Sequence, residues 1–223
     1  MISRRAMLAG AVAACGAAGG AALMPGLGRA ALPGAGRLGF DVLRGTKHLG
    51  VHQLTFHPTA GGLLVEVAVD LAYKLGPLTL YRYTHRASER WAGGEVVALD
   101  TRTNDNGTQH SLSARREAGG PLMVMPAGKP AYAAPADALP ATHWNQRELA
   151  GPWINTQDGS LLRPRVSPQG TGTVLTANGS PLAARHFALS GPVQLDMWYD
   201  ESQNWAGLSF TKAGNQIRYA RQG

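Results

Sequence analysis

A strict alternation of apolar and polar side chains between positions 63 and 75 constrains the fold of this chain more than any other feature. Charged residues mark one side of the segment, at Glu66, Asp70 and Lys74. Apolar and aromatic residues occupy the other side, at Leu63, Val65, Val67, Val69, Leu71, Tyr73 and Leu75. Because successive side chains of a strand point to opposite faces, this pattern predicts a half-buried β-strand.

The next segment, from residue 78 to 91, repeats the alternation with different chemistry. Arginines 82, 86 and 90 share one face. The opposite face carries Tyr81, Tyr83, His85, Ala87, Glu89 and Trp91. Gly76-Pro77, between the two segments, is typical of a tight turn, so the sequence predicts a pair of antiparallel neighbours.

Turn dipeptides recur at intervals of roughly ten residues along the rest of the chain, which is typical of antiparallel sheets, sandwiches and barrels. Asn106-Gly107 and Asn178-Gly179 accept the positive φ that hairpin turns require. The sequence therefore predicts an all-β fold, either a partly open barrel or a strongly curved antiparallel sheet. The proline-rich stretch 126–140 predicts one crossover loop. Thr142 is the expected cap of a short helix that runs to Leu149, and we expect at most one or two short helices in all.

The first thirty residues have the pattern of an export signal. Ser3-Arg4-Arg5 is followed by about twenty small and apolar residues, which is typical of a twin-arginine (Tat) signal peptide. We expect cleavage after Ala30, a single β-barrel-like domain over residues 31–223, and a periplasmic or secreted protein. Lipid attachment at Cys15 is the alternative, since Val12 to Cys15 also matches the short pattern before a lipid-modified cysteine.

Composition narrows the classes of partner. Cleavage removes Arg4, Arg5 and Arg29 from 21 basic residues, which leaves 18 against 14 acidic residues and a net charge of +4. A mildly basic chain with scattered arginines argues against nucleic-acid binding, but it allows peripheral attraction to anionic lipid. With no cysteine after Cys15 and no recognisable nucleotide or metal motif, we expect a monomer without metal or cofactor.

The face shared by the aromatic residues is the candidate ligand site. Barrel mouths are common binding sites for apolar molecules, so Tyr81, Tyr83, Trp91 and Tyr199 are predicted to contact an apolar or lipid-like ligand. An alternative is a periplasmic enzyme that uses His85 and Glu89, four residues apart on the same face, as acid and base. A third possibility is a structural envelope protein whose interior is filled by its own side chains.

Several motifs resemble those of a family of exported bacterial proteins of unknown function, over most of residues 38 to 220. They are Tyr81-Arg82-Tyr83, Ser88-Glu89-Arg90-Trp91, Thr103-Asn104-Asp105-Asn106-Gly107, Leu195-Asp196-Met197-Trp198-Tyr199-Asp200, Trp205-Ala206-Gly207-Leu208-Ser209-Phe210 and Gly214-Asn215-Gln216-Ile217-Arg218-Tyr219. That family is similar in architecture to the lipoprotein carriers LolA and LolB. The resemblance implies a curved antiparallel half-barrel that holds acyl chains, and it implies no catalytic residue.

Overall fold

The computed structural model describes residues 36–223, so the predicted signal peptide, with Arg4, Arg5, Cys15 and Ala30, lies outside the described residues. The described part is built almost entirely from strands, with one 3-10 helix at Gln146–Ala150. The strands are β1 Gly36–Arg44, β2 Lys47–Thr59, β3 Gly62–Leu75, β4 Leu78–Ala92, β5 Glu95–Asp105, β6 Thr108–Arg116, β7 Leu122–Pro126, β8 Tyr132–Ala133, β9 Leu139–Pro140, β10 Trp153–Ile154, β11 Leu161–Leu162, β12 Arg165–Leu175, β13 Pro181–Ser190, β14 Leu195–Tyr199, β15 Trp205–Lys212 and β16 Asn215–Arg221.

Thirteen of these strands form one large sheet in the order β12-β13-β14-β15-β16-β1-β2-β3-β4-β5-β6-β7-β8. All of its pairs are antiparallel, and the two edge strands, β12 and β8, do not join. The all-β prediction of an open, strongly curved antiparallel sheet is therefore confirmed. Strand β1 pairs with β16 on one side and β2 on the other, which places the first and last described strands side by side.

Strands β3 and β4 pair in the register that the alternation predicts. Leu63 lies opposite Trp91, and Val69 lies opposite His85. The alternation fails only near the turn, where the register shifts after Tyr73 and leaves Leu75 63% exposed. A bulge adds one residue to one strand, so the side chains beyond it point to the opposite face of the sheet. The alternation that holds from residue 63 therefore does not extend to residue 75.

The predicted crossover loop at 126–140 is displaced, because residues 122–126 and 132–133 form β7 and β8 at the sheet edge. The chain instead crosses in a longer segment, residues 134–164, that runs from β8 at one sheet edge to β12 at the other. We call it the crossover segment. It contains the 3-10 helix and a small sheet in the order β11-β10-β9. Its apolar side chains belong to the same buried core as the concave face of the large sheet, namely Ala134, Ala138, Leu139, Trp144, Trp153 and Ile154.

The short helix differs from its predicted form. Asn145, and not Thr142, caps it by accepting a hydrogen bond from the Arg147 backbone N–H. The helix is a single 3-10 turn, because Gly151 and Pro152 follow at once and leave no room for a longer α-helix. Thr142 is buried near Glu89 instead.

The two ends of the curved sheet differ in how they are filled. At the end that carries the turns 60–61 and 93–94, Phe56, Trp91 and Trp144 pack edge to face, with ring centroids 5.1 to 5.6 Å apart. We call this the closed end. The opposite end carries the turns 45–46, 76–77, 106–107 and 213–214, and we call it the open end. Within residues 36–223, no helix has the length and apolar character needed to span a membrane.

Candidate functional site

A cavity of about 350 Å³ lies at the open end, between the concave face of the sheet and the crossover segment. Its mouth is marked by Tyr81, Asp105 and the exposed Lys212. Most of the wall is apolar and comes from strands far apart in sequence, including Leu49, Val69, Leu71, Leu162, Val193, Leu195, Leu208, Phe210 and Ile217. Pockets that bind small molecules have volumes of about 300 to 1,000 Å³, so this one can hold a small or slender ligand.

Two buried histidines give the cavity its polar character. His52 on β2 and His85 on β4 both line it, and the Nε2 atom of each is buried with no hydrogen-bond partner among the described residues. Burial lowers the pKa of His85 to about 4, with a smaller contribution from the nearby positive charge of Arg86. Burial also lowers the pKa of His52 well below its usual value. Both rings are therefore neutral at neutral pH, and each leaves a polar atom unpaired next to the cavity.

A chain of hydrogen bonds fixes the orientation of the His85 ring. The Thr103 hydroxyl donates to the backbone carbonyl of Gln157 at 3.4 Å and lies 2.8 Å from His85 Nδ1. Because the hydroxyl directs its own proton to Gln157, we assign His85 the tautomer in which Nδ1–H donates to the hydroxyl. The neutral ring then presents Nε2 as an acceptor, which suits a ligand that carries a hydroxyl or another donor.

The tyrosines of β4 flank the histidines. The Tyr83 hydroxyl donates to Gln157 Oε1 at 3.4 Å, which ties the sheet to the crossover segment. The Tyr81 hydroxyl donates to Asp105 Oδ1 at 2.7 Å at the mouth. Burial raises the pKa of both phenols, and Asp105 adds to the effect at Tyr81, so both keep their protons. They act as hydrogen-bonding walls and not as bases.

The back of the cavity is formed by His143, which the crossover segment holds in a left-handed conformation at φ +69°. Three hydrogen bonds fix this uncommon geometry. Its Nδ1 lies 2.8 Å from Glu148 Oε1, its backbone N–H donates to Glu148 Oε2, and its carbonyl accepts from the Tyr199 hydroxyl at 2.9 Å. Positive φ in a non-glycine residue costs free energy, so these contacts are needed to hold it.

Tyr199 and Trp91, predicted on strand parity to contact a ligand, do not line the cavity. Tyr199 is fully buried and its hydroxyl is bound to His143 and Glu148. Trp91 lies at the closed end under Trp144. Both point to the concave face as the parity predicts, but the crossover segment covers them. Of the predicted ligand residues, the structure places Tyr81 and Tyr83 on the cavity.

The structure also separates the predicted acid–base pair. His85 lines the cavity, whereas Glu89 is fully buried at the closed end, where its Oε2 accepts from the indole N–H groups of Trp91 at 2.7 Å and Trp144 at 3.1 Å. Burial raises the pKa of Glu89 to about 7, against the opposing effect of the Thr142 hydroxyl and the two indoles. The two side chains therefore reach no common cavity.

A wider depression of about 430 Å³ lies over β4, β5 and β6 and reaches the convex face. It is bordered by short side chains and by Arg86 and Asp100, each of which is held in an exposed ion pair. None of the strands and loops within residues 36–223 closes over it. Among residues 36–223, no group of three or more His, Cys, Asp or Glu side chains is arranged to hold a metal ion.

With the geometry in place, comparison with known proteins identifies the family. Residues 40–222 match a domain of unknown function, DUF6134. The chain belongs to this family. The match begins within β1 and covers every other strand of the large sheet.

A solved structure supports the same architecture. The chain is similar to a β-barrel-like protein from Brucella abortus that contains a domain of unknown function, DUF1849, with a TM-score of 0.56 and 9% sequence identity. The similarity covers 83% of this chain and 95% of that one. At this identity the likeness concerns the fold alone. No curated protein matches the chain.

Sequence reasoning missed several residues of the cavity, above all His52 and His143. His52 shares strand parity with Leu54 and Phe56, both buried, so alternation along β2 could have placed it inside. His143 lies in irregular backbone, where no periodicity exists to indicate a side-chain direction.

Proposed function

We propose that this protein is an exported cell-envelope protein that binds an apolar or lipid-like molecule, without catalysis, in the open-end cavity. The observation that carries the proposal is a largely apolar cavity of about 350 Å³ with two unpaired imidazole nitrogens beside it. Buried polar atoms are normally paired, so atoms left unpaired at a cavity are the ones a ligand is expected to satisfy.

The walls define the kind of ligand. Leu71, Leu208 and Phe210 favour a hydrocarbon body, whose burial contributes about 25 cal/mol per Å² removed from water. His85 Nε2 favours one hydroxyl or similar donor on that body. A long-chain alcohol or a monoacyl lipid with a neutral head meets both conditions, whereas a multiply charged molecule has no matching charges inside.

Binding is a better reading than catalysis because the predicted acid–base pair, His85 and Glu89, is not arranged for proton transfer. Glu89 is bound to two indoles away from the cavity, and the group that orients His85 is the Thr103 hydroxyl and not a carboxylate. General acid–base catalysis needs such groups within hydrogen-bond reach of one reacting atom.

Export is part of the proposal and is supported by the twin arginine and the apolar run that follows it. We expect the protein recovered from a periplasmic fraction to begin after Ala30. Uncleaved protein confined to the cytoplasm would contradict export, and an acyl group on Cys15 would favour the anchored alternative.

A matched pair of tryptophan substitutions tests the cavity. Leu71→Trp introduces an indole into the cavity wall, and Met123→Trp introduces the same group at an exposed position of β7. We expect the neutral fluorophore phenylnaphthylamine to bind the wild type and the Met123 variant alike, and to bind the Leu71 variant at least about tenfold more weakly, since overpacking leaves no room for the ligand. Dodecanol should displace the probe more effectively than dodecanoate.

Two results would overturn the proposal. Unchanged binding by a folded Leu71→Trp variant would show that the probe lies elsewhere. If neither the probe nor any alcohol binds the wild type, the filled-interior alternative explains the protein better.

A further inference from the structure

The hairpin between β3 and β4 continues beyond its pairing with both neighbouring strands at the open end. Pairing of β3 with β2 ends at Leu71, and pairing of β4 with β5 ends at Tyr83. Residues 72–82 therefore form strand pairs only with each other, and we call them the projecting hairpin. Side contacts remain at its base, where the Asn106 N–H donates to the Arg82 carbonyl and the Lys47 ammonium donates to the Lys74 carbonyl. Four residues of strand beyond Leu71 extend about 13 Å at roughly 3.3 Å per residue.

Three leucines at the tip of the projecting hairpin are exposed. Leu75 and Leu78, which face each other across the turn, are 63% and 59% exposed, and Leu80 is 46% exposed. They are three of the six large hydrophobic residues found exposed among residues 36–223. Scattered surface leucines need no explanation, but a cluster at the end of a projecting element indicates a contact surface.

Basic residues surround this tip. The Arg44 guanidinium and the Lys47 ammonium lie over the Tyr73 ring, 4.4 and 4.6 Å from its centroid, and Lys212 lies 5.5 Å from the centroid of Tyr81. Lys74 and Arg82 are exposed on the hairpin itself. The tyrosine faces keep the cations close to the leucines, because a ring face attracts positive charge.

The open end is more basic than the closed end. At the open end the segments 44–47, 72–82, 105–108, 190–195 and 212–215 contain five basic residues and one acid; the residues are Arg44, Lys47, Lys74, Arg82, Lys212 and Asp105. At the closed end the segments 59–62, 92–95, 116–122, 175–181 and 199–205 contain one basic residue and four acids; the residues are Arg116, Glu95, Glu117, Asp200 and Glu201. Two further guanidinium groups reach these segments, from Arg147 to the Gly94 carbonyl and from Arg221 to Asp200. An anionic surface therefore attracts the open end more strongly than the closed end.

We propose that the projecting hairpin docks this protein on an anionic phospholipid bilayer, with Leu75, Leu78 and Leu80 entering the headgroup region. The five open-end cations contact the lipid phosphates, and the mouth of the cavity then faces the membrane. Apolar side chains combined with a basic rim are the combination that gives reversible binding to a bilayer interface. The docking stands on the hairpin and its charges, and it holds whether or not the cavity takes a ligand.

Vesicle flotation with the mature protein tests the role of the leucines. The probes are phosphatidylcholine vesicles and vesicles that also contain phosphatidylglycerol. Leu78→Ser is compared with Leu175→Ser, a leucine of similar exposure, 53%, at the closed end. We expect Leu78→Ser to weaken binding to the anionic vesicles severalfold and the triple variant Leu75→Ser, Leu78→Ser, Leu80→Ser to weaken it roughly thirtyfold, with Leu175→Ser unchanged.

A second pair of variants tests the charge. Lys74→Gln with Arg82→Gln removes two cations from the hairpin, and Arg90→Gln with Arg102→Gln removes two exposed cations from the convex face. Each basic residue near an anionic surface contributes about fivefold to binding, so we expect the hairpin pair to weaken binding about 25-fold. The convex-face pair should have little effect, and binding to pure phosphatidylcholine should be weak throughout.

Phenylnaphthylamine binding should be unchanged in every hairpin variant, which separates a failure of docking from a failure of the cavity. Wild-type flotation equal to that of the folded triple leucine variant would overturn docking. Light scattering gives a second result that would overturn docking, namely a wild-type dimer that becomes a monomer when the three leucines are replaced. The tip would then be an interface between two copies of the protein.

Discussion

His85 and Glu89 lie four residues apart on the same face of β4, about 13 Å along the strand, yet they have opposite surroundings. Glu89 is enclosed at the closed end, with two indole donors on one oxygen. His85 lies at the open end with an unpaired nitrogen beside the cavity. The large sheet places both side chains on its concave face. The difference therefore comes from the crossover segment, which covers Glu89 and ends short of His85.

The largest expected effect concerns packing. Trp91→Ala removes a buried indole and one donor to Glu89, and we expect it to lower the free energy of unfolding by about 4 kcal/mol. Tyr83→Ala removes a half-buried ring beside an existing cavity and should cost about 1 kcal/mol. Urea denaturation at neutral pH measures both. Similar costs at the two positions would show that the ends are packed alike.

The second effect is the pH response of Glu89. Its pKa is raised to about 7 in the folded protein, so its contribution to stability is present below about pH 4 and is lost as the pH rises to about 7. This amounts to about 3 kcal/mol, since one pKa unit corresponds to about 1.4 kcal/mol. As the pH rises from about 4.5 to 8, the free energy of unfolding of Glu89→Gln should increase by that amount relative to the wild type. Glutamine still accepts both indole hydrogen bonds and carries no charge. A constant difference across this range would mean that Glu89 titrates normally.

The third and smallest effect has the opposite sign. The pKa of His85 is lowered to about 4, so its contribution is present above about pH 6.5 and is lost as the pH falls towards 4. As the pH falls from about 7 to 4, we expect the free energy of unfolding of His85→Gln to increase by about 2 kcal/mol relative to the wild type. The effect is smaller than at Glu89 because the cavity admits water. Ring-proton NMR titration of His85 gives an independent value, and a pKa near 6.5 would refute the assignment.

Between about pH 4.5 and 6.5, the contributions of Glu89 and His85 to the free energy of unfolding change with pH in opposite directions. The wild-type protein should therefore show a flatter stability profile in this range than either single variant. A double variant, Glu89→Gln with His85→Gln, should return to a flat profile, since the sites belong to opposite ends and add independently.

Most of the sheet could be predicted from the sequence, because alternation records which side of a strand faces the core. It fails where bulges shift the pairing. Val97 alternates with Leu99 and Thr101, which are buried, but the register shift next to Trp91 makes Val96 the buried residue instead. A bulge depends on how two strands twist against each other, which a single strand's pattern does not show.

The candidate site was less predictable for a different reason. Strand parity correctly placed Tyr83, His85, Glu89 and Trp91 on the concave face. Which of them remain accessible depends on the crossover segment. Its irregular backbone gives no periodic pattern of side chains in the sequence, and the residues that pack it against the sheet, such as Trp144, are single residues. Parity can thus indicate an inner face, but it cannot indicate what covers that face.

The pairing of β1 with β16 also bears on how the chain folds. Phe40 pairs with Arg221, so the middle of the thirteen-stranded sheet joins residues from the two ends of the described chain. At about 5 to 20 residues per second of synthesis, β1 waits on the order of 10 to 35 seconds for its partner. The hairpins on either side can form early because their contacts are local. The two halves of the sheet are therefore expected to assemble first, and the central seam to close last.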